Sequence, residues 1–176
     1  DKALANLDVA MKGLPPPPWD VMRKADMLDA YGDLNVAWGK TDEAKRYYAE
    51  AAALYPTAKP PYGGHLLPRR AAQVQSKLDL LTFQSVATVA FRDGQYQDKT
   101  LGYAGDIDVT LTVREGKIAD IRLKHEEKID QNACVLIPQR IIDAQSLQVD
   151  GISGATVTKD AVVHGVYRCL RQAGLR

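Results

Sequence analysis

The hydrophobic period of this chain changes near residue 82. Residues 1–81 hold Met, Ala, Leu and Tyr at helical spacing together with eight of the nine prolines. Residues 82–176 hold alternating β-branched residues, turn glycines and one terminal apolar stripe at helical spacing. A switch from a period of about 3.6 to a period of two marks a domain boundary, expected at Leu81–Ser85. A length of 176 residues accommodates one large domain or two small ones. The expected fold class is therefore α+β: an all-α region over 1–81, then a small antiparallel-sheet domain over 82–176.

In the first half, Lys2–Met11 reads as a short helix ended by Gly13 and the Pro15–Pro18 run, which forms a stiff extended connector. A longer helix is expected from Trp19 to Trp38 and is broken by Gly39 and Lys40. Thr41-Asp42-Glu43-Ala44 then opens another, with a hydroxyl cap and acids in the first turn, ending at Leu54-Tyr55 before Pro56. Leu28, Tyr31, Gly32, Ala44, Tyr48, Ala51 and Pro56 are spaced as in one tetratricopeptide repeat, with Asn35 where an aromatic is usual. One repeat cannot bury its own apolar face. The helices at 2–12 and 67–81 would flank it as half-repeats, and a structural cap is preferred to a peptide-docking surface.

In the second half, Val86–Phe91 reads as a strand, Arg92–Gln95 as a turn around Gly94, and Gln95–Tyr103 as a second strand. Asp106–Val113 alternates cleanly, with Ile107, Val109, Leu111 and Val113 on one face. Arg114–Lys117 makes a hairpin turn into Ile118–Lys124, with Ala119, Ile121 and Leu123 expected inward. A helical stretch follows through Ala133, Leu136 and Ile137, and Pro138 is expected to start a fresh turn at a first helical position. Leu147–Val149 reads as strand-like. Thr158 is expected to cap a last helix whose stripe is Val162, Val163, Val166, Tyr167 and Leu170.

The formal charge of +1, from 23 basic and 22 acidic side chains, argues against a nucleic-acid surface. No apolar run approaches the ~18 residues of a membrane span. The sequence begins at Asp1 without a signal-peptide pattern, and we read it as a processed or cut chain. Cys134 and Cys169 are too few for a disulfide framework and are expected to be buried or half-buried thiols. Three scattered histidines, His125 and His164 among them, show no metal-ligand spacing.

Asp150-Gly151-Ile152-Ser153-Gly154-Ala155-Thr156-Val157-Thr158 carries more hydroxyls than a turn requires. Small residues that lead into a helix N-terminus favour a bound anion, phosphate above all. Gly154 and Ala155 admit it to the backbone, Ser153, Thr156 and Thr158 offer hydroxyls, and Lys159 adds a positive charge. The lysine placement of a nucleotide P-loop is missing, which argues against ATP or GTP hydrolysis.

Asp150-Gly151-x-Ser153-Gly154-Ala155-Thr156 resembles the flavinylation motif of the FMN-binding domain family. Asp93-Gly94-x-Tyr96, Gly102-Tyr103-x-Gly105-Asp106-Ile107-x-Val109, Gly116-Lys117-Ile118 and Pro138–Ser146 resemble further stretches of that family, in order. The likeness spans about residues 83 to 172. It implies FMN as cofactor, joined by a phosphoester to the threonine, here Thr156, by a separate flavin transferase that uses FAD. It also implies that Asp150, Ser153, Gly154 and Ala155 serve transferase recognition and phosphate contact. Gly102, Tyr103 and Gly105 would lie against the flavin. The family's His-x-Glu is carried onto His125 and Glu126. The implied role is that of an extracytoplasmic electron-transfer domain between donor and acceptor proteins, with no catalytic side chain and with its export signal or anchor outside this chain. The alternatives are a redox sensor or scaffold that docks partners through its helices, and a flavin reductase, for which no Gly-x-Gly-x-x-Gly fingerprint is present.

Overall fold

A computed structural model describes residues 2–82 and 90–175. The chain divides into two compact units, Asp1–Phe83 and Gln84–Arg176. The first is all-helical: α1 (Lys2–Lys12), α2 (Asp20–Ala37), α3 (Thr41–Leu54) and α4 (Leu67–Thr82), with short 3-10 turns at Tyr55–Thr57 and Gly64–Leu66. The second places a three-stranded antiparallel sheet, β1 (Gly94–Leu101), β2 (Asp106–Arg114) and β3 (Lys117–Lys124), against α5 (Ala133–Ala144) and α6 (Thr156–Gln172). The described chain is thus α+β with an N-terminal helical region. Ser85, inside the expected boundary, and most of the expected strand Val86–Phe91 lie outside the described residues, while Ala90 and Phe91 are not in a strand.

Helix α2 stops because Gly39 turns the chain at φ +70°. The Gly39 amide donates to the Val36 carbonyl (2.9 Å) and the Lys40 amide to the Asn35 carbonyl (2.9 Å), a Schellman closure that satisfies the last carbonyls. That closure runs directly into α3, so Lys40 takes the boundary position and Thr41 is already helical. The expected hydroxyl cap is absent. Gly32 earns its place by contact: a Cβ there would enter the Tyr48 ring. The two helices therefore approach closely over a core of Leu28, Ala44, Tyr48, Ala51, Tyr55 and Val74. Lys77 adds a polar tie, donating to Asp29 and to Asp33 at 2.8 Å each.

In the second unit, Ile107, Val109, Leu111 and Val113 are at most 1% exposed, as the alternation requires. The β2–β3 turn is tight: Glu115 at φ 53° and Gly116 at φ 71° both take left-handed conformations, the signature of a type I′ hairpin. The Asp93 carboxylate accepts from both of their amides. One correction falls in β3. Thr112 pairs with Asp120 but Val113 pairs with Ile118, so Ala119 is the extra residue of a β-bulge. Ile118 turns inward in its place, and Ala119 is exposed.

The helices bring further corrections. Pro138 lies inside α5 and does not start a turn. The helical stretch expected through Ala133, Leu136 and Ile137 is the first part of α5. It opens where the Asp130 carboxylate accepts the Asn132 and Cys134 amides and the Asp130 carbonyl accepts the Ala133 amide at 2.7 Å, and it continues through Pro138. Pro138 forfeits only one interior bond and is buried. Leu147–Val149 is irregular rather than strand-like. Helix α6 presses its expected stripe onto the sheet, with Val162, Val166 and Leu170 fully buried. Gly165 permits that approach, since a Cβ there would come within 2.5 Å of Val109 Cγ2. Both thiols are free and buried, and His164 is buried as well.

Candidate functional site

Three connections of the second unit converge beside the first turn of α6. They are the β1–β2 turn at 102–105, the β3–α5 loop at 125–132 and the α5–α6 loop at 145–155. Tyr103, Ile129, Gly154, Ala155, Thr156, Val157 and Thr158 line a pocket of about 350 Å³ there, within the ~300–1,000 Å³ range of small-molecule sites. Tyr103 (72% exposed), Ile129 (70%) and Val157 (51%) present large apolar surfaces to solvent around it. Such a concentration of exposed apolar side chains marks a surface that something covers.

The α5–α6 loop owes its shape to Gly154. Its φ of +82° reverses the chain at a conformation that L side chains rarely adopt. The Ala155 amide then bonds the Ile152 carbonyl at 3.0 Å, and the Lys159 amide bonds the Ala155 carbonyl at 2.9 Å. Helix α6 therefore starts at Thr156 with Ala155 as its cap residue and no side-chain cap. This corrects the assignment of Thr158 as the cap: the helix begins two residues too early for it. Helical amides at this end have no intrahelical partner, so with the helix dipole behind them they suit an anion beside Thr156.

Thr156 is exposed at the first position of α6. Thr158 is 1% exposed, and its hydroxyl donates to Glu127 Oε2 at 2.9 Å. Ser153 is exposed but does not line the pocket. Asp150 is exposed too, and its carbonyl accepts from Arg140 Nη1 at 2.6 Å. Arg140 also reaches the Gly151 carbonyl at 3.3 Å, so α5 holds the start of the loop. Lys159 donates to Asp160 at 3.0 Å, which draws its charge toward a carboxylate of its own helix. On the opposite side, the Gly102 amide donates to the Gly105 carbonyl at 2.7 Å and ends β1 at Leu101, short of the expected Tyr103. A Cβ on Gly105 would meet open space, whereas one on Gly102 would strike Glu127 Oε1 and Ile107.

Glu126 is exposed and does not line the pocket. The acid that the structure brings to the site is Glu127, buried to 9% exposure. Its Oε1 accepts the Ala104 amide at 2.9 Å, while Oε2 holds Thr158. His125 supports it from behind, with Nδ1 accepting the Glu127 amide at 3.2 Å. The spacing His-x-Glu, counted from His125, already ends on Glu127. That count was the signal available in the sequence. Ile129 and Val157 carried no such signal, because their exposure follows from loop and helix placement. Among the described residues no group of three His, Cys, Asp or Glu side chains is placed to hold a metal ion.

An exposed hydroxyl at a helix N-terminus, a chain reversal at Gly154 and an apolar rim suit a planar, phosphate-bearing cofactor. Residues 102–171 match the FMN-binding domain family, and FMN is the cofactor that this segment takes. The residues present fit it: Tyr103, Ile129 and Val157 suit the ring, and Gly154–Thr156 suit the phosphate. The chain is 42% identical over 89 residues to an NADH:acrylate oxidoreductase of Vibrio harveyi, a stretch covering 49% of this chain and 9% of that protein. It is 29% identical over 84 residues to an uncharacterized protein of Treponema pallidum (strain Nichols), covering 46% of this chain and 23% of that one. The chain thus spans less than a quarter of the length of either relative.

Proposed function

We propose that the second unit is an electron-transfer domain whose FMN is fixed by a phosphoester to Thr156. The observation that carries this reading is the division of labour between two threonines. Thr156 stands exposed at the pocket mouth, whereas the Thr158 hydroxyl is buried and engaged by Glu127. A transferase that uses FAD would join the Thr156 oxygen to the flavin-side phosphorus. The pyrophosphate bond breaks, AMP leaves, and the hydroxyl proton passes to solvent. FMN held there would supply one- or two-electron transfer. The chain's own residues would bind and orient it: the α6 amides and Gly154 would hold the phosphate, and Tyr103, Ile129 and Val157 would cover the ring and keep water from it.

In this reading the domain works outside the cytoplasm, between a donor and an acceptor protein, and covalent attachment prevents loss of the cofactor where free flavin is scarce. The helical unit is tetratricopeptide-like. The close Gly32–Tyr48 contact and the Leu28, Ala44 and Ala51 core support that likeness. Co-production with a flavin transferase followed by peptide mass spectrometry tests the attachment. The expected result is one FMN, less water, on the Thr156 peptide. Thr156→Ala should abolish it, and flavin colour should then be lost on denaturation. An unmodified Thr156 in protein that carries flavin elsewhere would exclude the linkage.

A further inference from the structure

We propose that Glu127 is the positioning residue of the flavin site, tying the Tyr103-bearing turn to the first turn of α6 and so setting the width of the pocket. The inference rests on the FMN reading above. Its two carboxylate oxygens are divided between the two walls, Oε1 on the Ala104 amide and Oε2 on the Thr158 hydroxyl, each at 2.9 Å. The residues next to those donors, Tyr103 and Val157, line the pocket on either side. The clamp is itself built in. Gly102 leaves no Cβ where Oε1 sits, and His125 Nδ1 holds the Glu127 amide at 3.2 Å.

A carboxylate at 9% exposure is an expensive way to fill space, because burying a charge costs heavily unless it is hydrogen-bonded. Charge-assisted bonds are shorter and stronger than neutral ones. One acid therefore joins the 102–105 turn to α6 more firmly than an apolar contact of the same size. Removal of the side chain leaves the Thr158 hydroxyl buried without its acceptor, and the turn at 102–105 loses its link to α6. Tyr103 then has no fixed distance to the ring it is to cover.

The test uses the full chain in two forms, flavin-free and loaded by co-production with the transferase. In the flavin-free protein, hydrogen exchange of the Ala104 amide reads the clamp directly. Glu127→Ala should speed it at least tenfold. In the loaded protein, visible circular dichroism of the flavin reads how firmly the ring is held. Glu127→Ala should lose most of that signal. Glu127→Gln should keep it, because an amide still accepts the Ala104 N–H and can donate to Thr158. Wild-type exchange and dichroism in Glu127→Ala would overturn the proposal, as would a Glu127→Gln protein that loses as much dichroism as Glu127→Ala. Should Glu127→Ala fail to fold, Thr158→Val breaks the same clamp from the other wall. A wild-type flavin signal in that variant would equally overturn it. Wild-type chain that takes up no flavin would sink the FMN reading alone, since Ala104 exchange still reports on the clamp.

Discussion

Thr156 and Thr158 are chemically identical and two positions apart, yet one is exposed at the pocket mouth and the other is 1% exposed against Glu127. On the first turn of a helix that separation places them on different faces, so one stays available and the other joins the core. Acid groups at this scale also set a pH response. Hydrogen bonds from backbone amides, chiefly Cys134 for Asp130 and Gly116 for Asp93, hold both carboxyls below the usual carboxylate range. A lowered folded pKa contributes stability above the unfolded value of about 4, which is lost as the pH falls through the folded value. The melting temperature of the second unit should therefore fall as the pH drops below about 4. Asp130→Asn should flatten that drop, as thermal melts across the acid range will measure; an unchanged slope would count against it.

Helix α6 reaches the sheet through Gly165, where an added Cβ would lie 2.5 Å from Val109 Cγ2, inside contact distance, and 3.4 Å from Thr100 Cγ2. Overpacking of this kind costs about 1–3 kcal/mol. Gly165→Ala should lose roughly that amount in urea denaturation, and adding Val109→Ala should recover part of it. The period-two run of β2, the hairpin signal at Glu115-Gly116 and the stripe of α6 were all legible, because each depends on neighbours within a few residues. The continuation of α5 through Pro138 and the start of α6 were not. Pro138 costs α5 one interior bond and does not divide it, and the reversal at Gly154 starts α6 ahead of Thr158. In β3 the alternation pointed to Ala119 as an inward residue, and the bulge against Val113 exchanged it for Ile118. Pairing with a partner strand decides such a shift, and a single strand's pattern does not contain it.

Each unit is organised around its own core, with small residues between α2 and α3 in the first and aliphatic side chains between sheet and helices in the second. The two cysteines sit inside the second. Cys169 is fully buried on α6 and Cys134 is 8% exposed on α5, and burial pushes both thiols up to about 12. Thiolate is the reactive form, so native protein at pH 8 should react with an aromatic disulfide reagent far more slowly than urea-unfolded protein. The rate of colour release measures this, and a fast native phase would show that one thiol is reachable.

By itself the sequence determined the change of period near residue 82, the helical and sheet character of the two units, and the small-residue loop that leads into Thr156. All of these are written in local spacing and local backbone freedom. Only the tertiary structure decided which acid meets which hydroxyl: Glu127 accepts from the buried Thr158 hydroxyl, while Ile129 and Val157 line the pocket beside it. The physical reason is that a loop side chain finds its partner across segments far apart in the chain. Burial and hydrogen-bond satisfaction there are properties of the packed molecule.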